Sequence, residues 1–101
     1  MILKKCAAAG TLESSDCRVM VMPGQENVTA ITLTSTVEAQ FGDAIKKTVS
    51  AVLEEMDVRN AVVSISDHGA LDCTIRARTL CALCRSAEVS YDWSREDGQH
   101  V

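Results

Sequence analysis

The polar run Glu13-Ser14-Ser15-Asp16 holds the hydroxyls best placed for chemistry at oxygen, because apolar segments flank it on both sides. A nucleophilic serine needs a general base and an oxyanion hole, and neither His68 nor His100 is spaced to serve Ser14. A self-contained serine hydrolase is therefore disfavoured. A hydroxyl that another enzyme modifies needs only exposure, although a simple polar turn would use the same residues. Cys81 and Cys84 form a CxxC pair one turn apart inside a helical pattern, where no helix N-terminus lowers a thiol pKa. With no second CxxC and no HxxxH to complete a zinc set, small core residues are the expectation, and no metal site is assigned. Arg76, Arg78 and Arg85, with Lys46 and Lys47, are either a solvated face or an anion-binding edge for a cofactor's phosphates. His68 beside Gly69 reads as a turn residue, and Asp72 suits the positive end of a helix dipole.

These side chains need a frame. Cys6 to Leu12 and Cys17 to Met22 read as two strands joined by a hairpin that places Ser14 and Ser15 at its tip. Pro23-Gly24 marks a turn, after which Val28 to Thr34 alternates as a third strand. Ser35 and Glu38 fit a capping box, followed by an apolar stripe of Val37, Phe41, Ile45, Thr48, Val49, Val52 and Met56. The spacing predicts a helix ending near Met56, a fourth strand over Ala61 to Ser66, and a second helix over about Ala70 to Arg85. That second helix is expected to bury Leu71, Ile75, Leu80 and Leu83. The order βββαβα implies an α+β two-layer sandwich: a mainly antiparallel four-stranded sheet with two helices on one face. Strand order is not legible at this level.

A chain of 101 residues has material for one core, which excludes separate cofactor and substrate domains. Residues 1–87 are expected to form the domain and residues 88–101 a polar, flexible tail. Aromatic residues make up only 3% and the formal net charge is -4, so neither base stacking nor attraction to a phosphate backbone is available. No nucleic-acid partner is expected. Nothing approaches the ~20 apolar residues of a membrane span. An odd count of five cysteines and the lack of a signal-like start favour reduced thiols in the cytoplasm.

Three blocks together carry a resemblance: Ala9 to Asp16, Val37 to Ile45, and Asp67 to Cys73 with Arg76-Ala77-Arg78. In this order and spacing, over about Ala7 to Ala87, the chain resembles the acyl carrier (gamma) subunit of citrate lyase. The resemblance implies a carrier rather than a catalyst. It implies that Ser14 is joined by a phosphodiester to 2'-(5''-phosphoribosyl)-3'-dephospho-coenzyme A, installed by a separate prosthetic-group transferase. The terminal thiol would carry acetyl and citryl thioesters between the alpha and beta subunits as citrate is cleaved to acetate and oxaloacetate. Glu13 and Asp16 beside the serine are expected to repel the arm's phosphates and keep it undocked. Two alternatives stay open. One is the malonate decarboxylase type of acyl carrier, with the same kind of arm, and the other an unmodified α+β docking or ligand-sensing module.

Overall fold

The computed structural model describes residues 1–35 and 38–90. Its elements are β1 (Ala7–Gly10), β2 (Cys17–Pro23), β3 (Thr29–Ser35), α1 (Glu38–Glu55), β4 (Ala61–Asp67) and α2 (Asp72–Ala87). The order βββαβα is as expected. Ends differ by a residue or two; β1 stops at Gly10 rather than Leu12 and leaves Thr11 to Asp16 as a six-residue loop.

The strands lie in the order β1-β2-β4-β3. β1 with β2 and β2 with β4 are antiparallel, whereas β3 runs parallel to β4. The sheet is thus mixed, though two of its three pairings are antiparallel. The parallel pair follows from chain connection: two parallel strands need a long crossover, and α1 between β3 and β4 supplies one. β4 consequently inserts between β2 and β3, which are sequence neighbours but not sheet neighbours.

Period-two burial shows which face is covered. Cys17, Val19 and Val21 of β2 are buried, while Arg18, Met20 and Met22 between them are exposed. Their partners Asp67, Ile65 and Val63 are buried in the same rows. Both helices pack on this face, α2 over β1 and β2 and α1 over β3, and they pack on each other. Val49, Val52, Ile75, Leu80 and Leu83 supply the helical side of the core. Burying each such aliphatic side chain contributes roughly 1.5–3 kcal/mol.

Three expectations from the apolar pattern need correction or fall outside view. Phe41 is 52% exposed, because the first turns of α1 leave its ring at an open edge rather than over the sheet. Leu71 is 70% exposed, since α2 begins one residue later and Leu71 is its N-cap instead of a residue on its buried face. Val37, the side chain of Glu38 and residues 91–101 of the tail expected over 88–101 lie outside the described residues. Ser35 ends β3, and its hydroxyl donates to Asp67 at 2.9 Å.

Candidate functional site

The register brings one end of the molecule together. Cys17 at the start of β2, Asp67 at the end of β4 and Ser35 at the end of β3 form a single row across the sheet. The Thr11–Asp16 loop, the start of α1 and the 68–71 connection therefore share this end. Both helices point their N-termini toward it.

Gly10 opens the loop at a φ of +95°, a conformation that L side chains rarely adopt. A Cβ there would lie 1.9 Å from the carbonyl oxygen of Cys17, so the close approach of β1 to β2 also demands glycine. Next comes a β-turn in which the Asp16 N–H donates to the Glu13 carbonyl at 3.2 Å. Ser14 and Ser15 are its corner residues, both exposed, and Ser15 takes a left-handed φ of 64°. Two backbone bonds staple this turn to β4's exit. Ser15 N–H donates to the His68 carbonyl at 2.7 Å, and His68 N–H donates to the Asp16 carbonyl at 2.9 Å.

Asp16 anchors the loop by its side chain as well. Its carboxylate accepts from the Thr11 hydroxyl at 2.7 Å, from Cys17 N–H at 2.7 Å, and from Arg78 Nε and Nη2 at 3.1 and 3.0 Å. The paired guanidinium, then Thr11 and the Cys17 amide, hold the Asp16 carboxyl well below the usual carboxylate range. Thr11 in turn accepts from Glu13 N–H at 3.2 Å. Ser14 thus projects from a loop whose backbone is held on both sides.

The electrostatic expectations change accordingly. Asp16 is neutralised by Arg78, which leaves Glu13 as the acidic neighbour of Ser14 without an ion-pair partner among the described residues. The arginines do not form one anion-binding edge. Arg78 holds Asp16, Arg76 pairs with Glu55 at 2.6 Å, and Arg85 donates to the Ala8 carbonyl at 2.7 Å. No spacing signal marks the Arg78–Asp16 pair, because the two are 62 residues apart. Gly10 before a polar run was the one local sign of a constrained loop.

Cys84 is buried and Cys81 half-buried against the core, in keeping with structural roles. Burial pushes the Cys17 thiol up to about 11. Among the described residues no group of three or more His, Cys, Asp or Glu side chains is arranged to hold a metal ion. No helix among them is long and apolar enough to cross a membrane.

Residues 4–86 match the family described as malonate decarboxylase delta subunit. A citrate lyase acyl carrier protein of Clostridium perfringens is 49% identical over 92% of this chain and 93% of its own. One from Streptococcus pyogenes is 46% identical over the full length of both chains. In solved structures, a chain of a Pseudomonas malonate decarboxylase hetero-tetramer, determined in complex with malonate, superposes with a TM-score of 0.72. It is 20% identical and the match covers 81% of this chain and 84% of that one, a likeness of fold.

Proposed function

The chain belongs to the citrate lyase acyl carrier protein family, and from that premise we propose that it is the non-catalytic carrier subunit of a cytoplasmic citrate lyase. Ser14 is the attachment point, and residues 1–87 are the carrier domain. The observation that carries this reading is the exposed Ser14 on a backbone-stapled turn. A transferase must reach the hydroxyl from outside, and an exposed corner of a two-residue turn permits that. The thiol end of the attached group must also reach away from the surface, and Ser14 is open to solvent.

The group that fits this reading is 2'-(5''-phosphoribosyl)-3'-dephospho-coenzyme A, which supplies a terminal thiol for acetyl and citryl thioesters. The chain's own residues hold the anchor still. Asp16, clamped by Arg78 and Thr11, fixes the turn against α2, so the tether swings from a rigid base. Tethering keeps the acyl group at ~millimolar effective concentration near each partner active site. The partners in this reading are the citrate lyase alpha and beta subunits and the prosthetic-group transferase.

The match to the malonate decarboxylase delta subunit family supports a second reading, a carrier of the same kind serving a decarboxylase. The 45–49% identity to citrate lyase carriers favours the first. Intact mass and peptide mapping after coexpression with the citrate lyase transferase test it. An increment of phosphoribosyl dephospho-coenzyme A on Ser14, retained in Ser15→Ala and lost in Ser14→Ala, is expected. A phosphopantetheine increment instead assigns another carrier system. Folded chain at unmodified mass beside an active transferase refutes the carrier reading and leaves an unmodified docking module.

A further inference from the structure

Phe41 and Leu71, the two large apolar residues that escape their expected burial, border the same feature. It is an open groove of about 360 Å³ between the first turns of α1 and the connection into α2. Ile45, Ala70 and Ile75 add apolar wall, and Asp67 and Asp72 add two carboxylates. No basic side chain lines it among the described residues. Asp67 is already engaged by the Ser35 hydroxyl and by the N–H groups of Gly69 and Ala70, and Asp72 by the Thr48 hydroxyl.

Leu71 breaks a local rule. It is the N-cap of α2 and provides no side-chain cap, at a position where Ser, Thr, Asp or Asn would satisfy an orphan N–H. An exposed leucine kept where serine would serve the helix better marks a surface with another use.

The groove lies beside the anchor. Ser15 N–H reaches the His68 carbonyl at 2.7 Å, and Gly69, the next residue, lines the groove. One peptide unit on either side of that bond places Ser14 and Gly69 within on the order of 10 Å.

We propose that this groove is the resting site for the purine of the arm carried on Ser14, an inference that rests on the carrier reading above. Charge selects the occupant first. Asp67 and Asp72 offset the positive ends of the two helices that start here, and no basic side chain among the described residues offers the arm's phosphates or a citryl group a partner. A neutral planar base instead meets apolar walls and the exposed Phe41 ring. Size selects next, because the groove is at the small end of the ~300–1,000 Å³ range of ligand sites and suits one ring system rather than the whole arm. Position along the arm agrees: only a phosphate and two riboses separate the purine from Ser14. Tethering at ~millimolar effective concentration fills a site too weak to retain a free nucleotide. The arm then pivots from the groove, with its first segment ordered and its thiol end free.

The test compares the chain modified on Ser14, verified by mass, with the unmodified chain by proton–nitrogen correlation and NOE spectroscopy. Amide shifts confined to residues 41–45 and 69–75, with NOEs from purine protons to Phe41 and Leu71, are expected. Leu71→Ser, at a position exposed enough to leave folding intact, should abolish those NOEs and return the shifts toward the unmodified values. Coincident spectra in these segments, NOEs from the pantetheine methyls instead, or NOEs that survive Leu71→Ser overturn the docking. In each of these cases the mass still shows the arm, so the carrier reading stands. A chain that remains at unmodified mass refutes both.

Discussion

Gly10 and Gly69 make a matched pair for testing how the Ser14 loop is built. Both have positive φ, +95° and +87°, so alanine at either incurs a similar backbone penalty of about 1–2 kcal/mol. The lower unfolded-state entropy of alanine offsets about 0.4–1 kcal/mol of this. For Gly69→Ala nothing lies within 4 Å of the new Cβ, and the net loss should be about 1 kcal/mol. For Gly10→Ala the Cβ meets the Cys17 carbonyl oxygen at 1.9 Å and the Arg18 Cα at 3.2 Å. Both are backbone atoms of β2, held in turn by β4, so relief requires opening the β1–β2 ladder at Gly10↔Arg18. Steric relief of this kind adds about 1–3 kcal/mol or more, for a total near 3 kcal/mol. Urea denaturation of both variants reads the difference directly. With ~4–8 °C of Tm per kcal/mol in a domain of this size, Gly10→Ala should melt at least ~8 °C below Gly69→Ala. Equal losses in the two variants would refute the claim that close approach, rather than backbone conformation alone, requires glycine at the base of the loop.

Acid denaturation should reveal the clamp on Asp16. Its carboxyl is depressed in the folded chain, so the stability it contributes is complete only above about pH 5, roughly a unit over the unfolded value near 3.9, and drains away as pH falls from there toward the folded value. Asp16→Asn should therefore show a shallower decline in stability between about pH 5 and 2, and superimposable acid limbs would count against the pairing. Thiol titration with a chromogenic disulfide at neutral pH should label Cys6 and Cys73 quickly, with Cys17 and Cys84 reacting only on unfolding. Because the Cys17 thiol is raised to about 11, its contribution to stability should be lost as pH rises from the ordinary thiol range through that value, a loss absent in Cys17→Ala. Leu71→Ser should stabilise the unmodified chain by about 0.5–1 kcal/mol in urea melts through N-capping of α2, and a destabilised variant would contradict its assignment as an exposed cap. Leu83→Ala, at a fully buried position between helix and sheet, should cost about 3 kcal/mol in the same assay.

Sequence alone determined the element order, the two-layer class, the hairpin that exposes Ser14, and the family resemblance. Each of these rests on near neighbours: period-two alternation in β2 and β4, helical spacing from Ile45 to Val52, and three short blocks in order. Tertiary structure decided what depends on residues far apart in the chain. The insertion of β4 between β2 and β3 comes from the α1 crossover, and alternation along a strand carries no information about which strand lies beside it. Arg78 could be read as solvated or anion-binding until the fold brought Asp16, 62 residues away, within 3.0 Å. Phe41 and Leu71 obey the helical spacing of buried residues but stand at helix starts, where the sheet beneath has ended. Periodicity reports which side of a helix an apolar residue occupies, and only the position of the helix over the sheet determines whether anything covers it.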